Sequence, residues 1–236
     1  MLKAVFFDLD GTLLRIDEQQ FVKLYFKLLS EKLAGRGYDA KTLMDSIWKG
    51  TALMMKNDGS KSNEQVFWNF FKTVYPGCEK DKPLFDSFYQ NEFKQLNEIC
   101  QVTETSKRVV MLTKELGLLP VLSTNPLFPM DGQRTRLSFL GLRPEDFAYV
   151  TSYENSCYCK PNPKYFQSLL DKFNLKSDEV IVFGNNDFED GDCASSLGIK
   201  VYLVDGYLIH SSQAKGKYEV VEYSKVGDLI KALADK

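Results

Sequence analysis

Five short apolar runs recur along this chain, and segments with helical periodicity separate most of them. Each run is long enough for a strand and too short for a helix, and the first ends at the turn signal Asp10-Gly11. The runs cover residues 2–7, 118–123, 148–150, 180–183 and 199–204. Strands that alternate with helices indicate an α/β fold, a Rossmann-like parallel sheet with helices on both faces. The last helix, residues 225–234, is predicted to close the edge of the sheet.

The alternation is interrupted between the first run and the second. Residues 16–104 show helical periods and no convincing strand. Three apolar helical faces stand out, and their residues are Phe21, Leu24, Tyr25, Leu28 and Leu29; Phe67, Phe70, Phe71 and Val74; and Phe85, Tyr89, Phe93 and Leu96. Connections this long inside an α/β sheet are usually functional insertions. We therefore predict an α/β core from residues 1–15 and 105–236, and an inserted all-helical cap domain from residues 16–104.

The inserted block is rich in aromatic residues and contains both tryptophans of the chain, Trp48 and Trp68. Such residues could line a ligand pocket. Most of the aromatic positions, however, have the spacing of a helical core. Packing within the helical block is therefore the favoured interpretation.

Composition excludes several classes of protein. The 236 residues are 44% hydrophobic and 26% charged, which is typical of a globular chain. Thirty Lys and Arg residues against 32 Asp and Glu leave no basic excess, so we expect neither a nucleic-acid partner nor a membrane partner. No apolar run approaches the roughly 20 residues of a membrane span, and no signal peptide is expected. Five cysteines without paired or zinc-type spacing favour a cytoplasmic location. Oligomeric state stays open.

Two carboxylates follow the first predicted strand, at Asp8 and Asp10. Side chains at i and i+2 project from the same side of an extended backbone, and Gly11 then permits a tight turn. In open α/β sheets, ligands bind at the carboxyl ends of the strands. A carboxylate pair there can hold a divalent cation, supply an oxygen nucleophile and supply an acid or base.

The segment Asp8-Leu9-Asp10-Gly11-Thr12 resembles the first motif, DxDGT, of the haloacid dehalogenase superfamily, and three further motifs follow in the family's order. Ser123-Thr124-Asn125 looks like the second motif, with its hydroxyl at Thr124 or, in the less favoured register, at Ser123. Lys160 before Pro161 looks like the third. Residues 184–190 look like the acidic fourth motif, GDxxxxD, but Asn185 stands at its first acidic position. An amide oxygen can still ligate a metal, although one negative charge is lost.

The resemblance implies a magnesium-dependent phosphatase that hydrolyses a small phosphorylated metabolite through an aspartyl-phosphate. It implies a nucleophile at Asp8, an acid and base at Asp10, and a cap of the C1 type that selects the substrate. The catalytic residues it implies are Asp8, Asp10, Thr124 and Lys160; the phosphate-binding residues are Gly11, Thr12, Thr124, Asn125 and Lys160; and the Mg²⁺ ligands are Asp8, Asp10, Asn185 and Asp190, with Asp187 as an alternative ligand.

Other activities remain open at this stage. A sugar phosphomutase of the same superfamily would use the same residues and return the phosphoryl group to the sugar. Dehalogenases lack the second aspartate of the first motif, which is present here as Asp10. Asn185 also raises the alternative of a protein that binds a phosphorylated ligand without turnover. The substrate itself cannot be inferred from the sequence.

Overall fold

A computed structural model describes residues 1–210 and 216–235. Within them, six parallel strands form one sheet in the order β3-β2-β1-β4-β5-β6. The strands are β1 Ala4–Phe7, β2 Leu119–Leu122, β3 Tyr149–Val150, β4 Val180–Gly184, β5 Lys200–Val204 and β6 Glu219–Val221. The predicted fold class, a Rossmann-like parallel sheet, is confirmed. The sixth strand was not predicted, because its three residues are largely exposed and carry little apolar pattern.

The helices are α1 Glu18–Leu33, α2 Ala40–Met55, α3 Asn63–Val74, α4 Lys82–Gln90, α5 Glu104–Glu115, α6 Met130–Phe139, α7 Lys164–Phe173, α8 Cys193–Ser195 and α9 Val226–Ala234. None of the helices in the described ranges has the length and apolar character that crossing a bilayer requires.

Alternate residues of each strand enter different cores. Val5 and Phe7 of β1 face a core that includes residues of α5 and α9, whereas Ala4 and Phe6 face a core that includes α7 and α8. Helices therefore cover both faces, as predicted. The prediction for the last helix was wrong, because α9 packs beside α5 on one face and β6 forms the edge of the sheet. Val226 and Ile230 bury this helix against the core.

Residues between β1 and α5 are helical, as the periodicity predicts. Ser62 and Gln65 form a capping box at the start of α3. The third predicted helix is instead broken, because α4 ends at Gln90 and a 3₁₀ segment, Glu92–Ile99, follows the non-helical Asn91. Apolar residues of α1 to α4 belong to the same core as Val5 and Phe7 of β1. The boundaries of the core and cap domains stay a prediction.

One buried asparagine ties the inserted helices to loops that follow the strands. Asn63, at the start of α3, is fully buried. Its Nδ2 donates to the Pro126 carbonyl oxygen at 3.2 Å and to Cys159 Sγ at 3.2 Å, and its Oδ1 accepts from Asn57 Nδ2 at 2.8 Å. The backbone N–H of Asn63 also donates to the Ser156 carbonyl oxygen at 2.9 Å. The first turn of α3 is thereby fixed against the loops that follow β2 and β3.

Replacing Asn63 with alanine should lower the free energy of unfolding by about 3 kcal/mol, because several buried polar groups lose their partners together. Urea unfolding followed by circular dichroism measures the change. Asn97→Ala, at an exposed position of the same block, is the control and should change stability by less than about 0.5 kcal/mol. Equal stabilities of the two variants would show that the contacts of Asn63 do not anchor α3.

Candidate active site

The carboxyl ends of three neighbouring strands converge on one cavity. Asp8 follows β1, Thr124 follows β2 and Asn185 follows β4, and β1 lies between the other two strands in the sheet. The cavity has a volume of about 720 Å³ and lies between these strand ends and α1 to α4. Among the residues predicted for the site, Asp8, Asp10, Thr124, Asn125, Asn185 and Asp190 line it. Gly11, Thr12 and Lys160 are buried and do not line the cavity.

Asp8 is held by two partners. Lys160 Nζ lies 2.9 Å from Asp8 Oδ1, and Thr12 Oγ1 donates to Asp8 Oδ2 at 3.1 Å. Lys160 is almost fully buried, and burial alone would lower its pKa; Asp190 and Asp8 overcome that effect and raise the pKa well above its ordinary value. Lys160 is therefore a permanent positive charge beside Asp8.

Asp190 connects Lys160 to the loop after β4. Its Oδ1 lies 2.5 Å from Lys160 Nζ, and its Oδ2 accepts the backbone N–H groups of Asn185 and Asn186, both at 3.1 Å. Burial raises the pKa of Asp190 to about 6, and Lys160 opposes this rise. With both oxygens engaged inside the protein, Asp190 orients the lysine and the loop.

Asp10 has a partner that sequence reasoning missed. Arg136 of α6 is buried, and its Nη1 donates to Asp10 Oδ2 while its Nη2 donates to Gln133 Oε1. Burial raises the pKa of the Asp10 carboxyl; Arg136 opposes this rise, and Asp8 adds to it. Asp10 Oδ1 has no hydrogen-bond partner among the residues that the structure describes. The sequence shows only that Gln133 and Arg136 are polar and lie three residues apart, a spacing that puts both on one face of α6.

The geometry of the loop after β2 favours Thr124 over Ser123 as the hydroxyl residue of the second motif. Thr124 lines the cavity, whereas Ser123 is fully buried away from it. The Thr124 carbonyl oxygen accepts hydrogen bonds from Thr151 Oγ1 at 2.6 Å and from Tyr165 Oη at 2.8 Å. These two bonds fix the backbone from which the Thr124 side chain reaches the cavity.

A second group absent from the sequence-based site is Glu189. Asn125 Nδ2 donates to Glu189 Oε2 at 3.0 Å, and both residues line the cavity. Burial raises the pKa of Glu189 to about 7, against the opposing charge of Lys160. Glu189 stands directly before Asp190, at a position that the fourth motif leaves unspecified.

Asn185 and Gly11 approach each other closely. Gly11 has a φ of +81°, and a Cβ at this position would lie 2.1 Å from Asn185 Nδ2. That Nδ2 donates to the Tyr207 carbonyl oxygen at 2.7 Å, which leaves Oδ1 as the acceptor of the amide. Gly11 is therefore required for the approach of Asn185 to the carboxylates. Asp187, the alternative metal ligand, lies off the cavity wall, with its Oδ2 3.0 Å from His210 Nδ1.

The donor set fits a magnesium ion that is shared with substrate. In the described residues, no group of three or more His, Cys, Asp and Glu side chains is arranged to hold a metal. Asp8 and Asn185 nevertheless present a carboxylate and an amide on one wall, and Oδ1 is the acceptor that the Asn185 amide has left. Mg²⁺ commonly takes one or two carboxylates and completes its shell with waters and substrate phosphate oxygens. The site meets that requirement.

The tryptophans have a role that helical periodicity did not favour. Trp48 and Trp68 both line the cavity. Trp68 also packs edge-on against Phe71 and Phe85 inside the helical block, so it serves both purposes. Trp48 is about half exposed and contacts Phe26.

Comparison with known proteins agrees with this geometry. A model of the haloacid dehalogenase-like hydrolases matches residues 2–198. The chain is 24% identical to the glyceraldehyde 3-phosphate phosphatase of Pyrococcus abyssi over 243 aligned positions, which cover 100% of this chain and 95% of that protein. The phosphatase relative and the family together support a phosphoric monoester hydrolase.

Two solved structures share the fold. A haloacid dehalogenase-type phosphatase from Thermococcus onnurineus superposes with a TM-score of 0.61 at 18% identity, covering 97% of this chain and 98% of the other. A protein assigned as a β-phosphoglucomutase from Thermotoga maritima superposes with a TM-score of 0.58 at 20% identity, covering 98% and 100%. With a family match over most of its length and the motif residues gathered at one cavity, the chain belongs to the haloacid dehalogenase-like hydrolases.

Proposed function

We propose that this protein is a Mg²⁺-dependent phosphatase that hydrolyses a small phosphorylated metabolite through an aspartyl-phosphate. The observation that carries the proposal is the pairing of Asp8, 2.9 Å from the buried cation Lys160, with Asp10, whose raised pKa suits proton transfer, on one wall of the cavity. A nucleophile, a counter-charge and an acid are the three groups that phosphoryl transfer to a carboxylate requires.

In the first step, an Asp8 carboxylate oxygen forms a bond to phosphorus while the bond from phosphorus to the leaving oxygen breaks. Asp10 donates its proton to that leaving oxygen, so the alcohol departs neutral. In the second step, Asp10 accepts a proton from water, the water oxygen bonds to phosphorus, and the Asp8 carboxylate is released with inorganic phosphate. The raised pKa of Asp10 favours its protonated form more than in a solvent-exposed aspartate.

Charge on the transferring group is stabilised by neighbouring donors. Lys160 offsets the negative charge that Asp8 and the phosphate bring together, and the Thr124 hydroxyl would contact phosphate oxygens from the end of β2. Asn125 Nδ2 donates to Glu189 Oε2 and to the Lys160 carbonyl oxygen, so Asn125 supports the site through these two partners. The backbone N–H groups of Gly11 and Thr12 donate within the turn, to the carbonyl oxygens of Leu14 at 2.7 Å and Leu9 at 3.1 Å. Donors fixed in advance lose no energy to reorganisation in the transition state.

Asp8, the backbone carbonyl oxygen of Asp10 and Asn185 Oδ1 would hold Mg²⁺, with Asp190 supporting them through the loop. The ion supplies screening of the repulsion between the carboxylate and the phosphate. Because Asp190 already binds Lys160 and two backbone N–H groups, Asn185 is the better ligand of the pair.

The Asn185→Asp variant should bind Mg²⁺ about tenfold more tightly, because it adds a second carboxylate to the donor set. Isothermal titration with Mg²⁺ in the absence of substrate gives the dissociation constant independently of turnover. Asn186→Asp, which changes the next residue in the same way, is the matched control. Unchanged Mg²⁺ affinity in Asn185→Asp would remove Asn185 from the ligand set.

The direct test of the proposal is release of inorganic phosphate from a generic aryl phosphate and a panel of metabolite monoesters, with Mg²⁺ or with EDTA. We expect release with Mg²⁺ and its loss with EDTA. A folded protein that releases no phosphate from any ester would contradict the proposal.

A sugar phosphomutase is the second candidate, favoured by the shared fold of the Thermotoga maritima protein and by the identical demands on Asp8 and Asp10. The product distinguishes the two reactions, because a mutase yields an isomeric sugar phosphate and a phosphatase yields free phosphate.

A further inference from the structure

Much of the cavity wall is aromatic. Eleven of the cavity's lining residues are Phe, Tyr or Trp, and eight more are aliphatic. We use the name aromatic wall for Tyr25, Trp48, Trp68, Phe85, Tyr89 and Phe128. A cavity of about 720 Å³ has the size of a site for a drug-sized molecule, and it is far larger than a phosphate group needs. The substrate body therefore rests against apolar surface.

Most polar atoms on the aromatic wall already have partners, and the exception among the described residues is the indole N–H of the half-exposed Trp48. Tyr25 Oη and Tyr89 Oη lie 3.1 Å apart and hydrogen-bond each other. Trp68 Nε1 donates to Tyr153 Oη at 3.4 Å. A polyhydroxylated body, such as a sugar, would enter a wall that offers few unused hydrogen-bonding groups and would lose its own hydration.

The cavity also selects against a second anion. Seven lining residues are Asp or Glu, and none in the described ranges 1–210 and 216–235 is Lys, Arg or His. Lys160 is fully buried and pairs with Asp8, so it does not reach a second anionic group on the substrate. A carboxylate or second phosphate on the substrate would therefore find no cationic side chain on this wall to pair with and would lie among acidic ones.

A positive charge on the substrate finds no uncompensated carboxylate on the cavity-lining parts of α2, α3 and α4. Asp86 is the acidic lining residue on α4, and its two oxygens both lie 3.1 Å from Lys82 Nζ. Asp17 and Glu18 lie at the start of α1, where their side chains are partly or fully exposed. The Lys82 ammonium group thus compensates the charge of Asp86 in the absence of a ligand.

We infer that the substrate is a monoester with one phosphate group on an uncharged, largely apolar alcohol or phenol. This inference rests on the proposed function and narrows its substrate class. Each methylene or ring carbon buried against the aromatic wall adds hydrophobic binding energy, whereas each added charge must be desolvated without a partner.

The test compares kcat/KM for matched esters with the full-length protein and Mg²⁺. We expect a rise of about 3- to 4-fold per methylene from ethyl phosphate to butyl phosphate. Phenyl phosphate should exceed 4-carboxyphenyl phosphate by about tenfold or more, and it should also exceed glycerol 1-phosphate and phosphoethanolamine. Preference for the carboxylated, polyhydroxylated or cationic ester would overturn the inference while leaving the phosphatase proposal intact.

A charge placed in the cavity should reverse part of this selectivity. Thr51 of α2 lines the cavity. Thr51→Lys should raise the ratio of kcat/KM for 4-carboxyphenyl phosphate over phenyl phosphate by about tenfold, and Thr51→Gln, of comparable size and uncharged, should leave that ratio unchanged. A ratio that Thr51→Lys does not alter would show that the substrate body does not reach α2, against the inference.

Binding separates this inference from the proposed reaction. If no ester is turned over, isothermal titration of the Asp8→Asn variant with the same two aryl phosphates still measures selectivity. Phenyl phosphate that binds about tenfold more tightly supports the inference even when the proposed hydrolysis fails. Equal or reversed affinities overturn it.

Discussion

Asp8→Asn should reduce the rate of phosphate release by about 10⁴-fold or more, because an amide oxygen cannot form the covalent phosphoryl intermediate. Asparagine keeps the shape of the side chain and can still accept the hydrogen bond from Thr12, so the loss is chemical and not steric. Phosphate release from an aryl phosphate, measured at saturating Mg²⁺ with wild type and variant at equal concentration, checks the expectation.

The matched control for this substitution is Asp45→Asn, an identical change at an exposed position of α2. It should retain the wild-type rate. Circular dichroism must also show that Asp8→Asn is folded, since the variant leaves Lys160 with one carboxylate partner, Asp190, in place of two. A folded Asp8→Asn protein with a rate close to wild type would exclude Asp8 as the nucleophile.

The sequence predicted the sheet well because its signals were local. The apolar runs are buried strands, and four of the five occupy central or adjacent places in the sheet, where both faces are covered. The strand Glu219–Val221 escaped prediction because it lies at the edge and has no apolar run. The position of α9 depends on which face has space beside α5, and no local pattern carries that information.

The candidate site was predictable to the extent that its residues follow strands. Asp8 and Asn185 come directly after β1 and β4, and Thr124 is the second residue after β2, so the parallel sheet alone brings them together. Arg136 and Glu189 were missed for a physical reason. Arg136 reaches Asp10 from the middle of α6, and its role follows from how that helix packs, which a reading of spacing along the chain does not provide.

The same limit applied to the aromatic residues of the insertion. Helical spacing shows that a residue faces inward, but it does not distinguish a packed interior from the wall of a cavity. Trp68 faces inward and borders both the packed interior of the helical block and the cavity. The residues that determine substrate choice therefore became visible only when the helices were placed against the strand ends.

Arg136→Met should lower kcat at pH 7 by about 100-fold, because Asp10 loses the cation that holds its carboxylate form and its position. Arg136 lowers the pKa of Asp10 against the effect of burial, so its removal raises that pKa further. Asp10 must lose a proton before it can accept one from water in the second step. In a plot of kcat against pH, the fall at low pH reports protonation of Asp10, which must be ionised to act as the base. This acid limb should consequently move to higher pH.

The alkaline limb of kcat/KM should move in the same direction, because the first step needs Asp10 protonated and the variant stays protonated to higher pH. Rate profiles measured between about pH 5 and 9 detect both shifts, and a purely structural role for Arg136 would lower activity without moving either limb. Arg136→Lys, which keeps the charge, should recover part of the rate and return the limbs toward their wild-type positions. Arg134→Met, an exposed arginine on the same helix, is the control and should leave both profiles unchanged. Unshifted limbs in Arg136→Met would mean that Arg136 does not govern the protonation of Asp10.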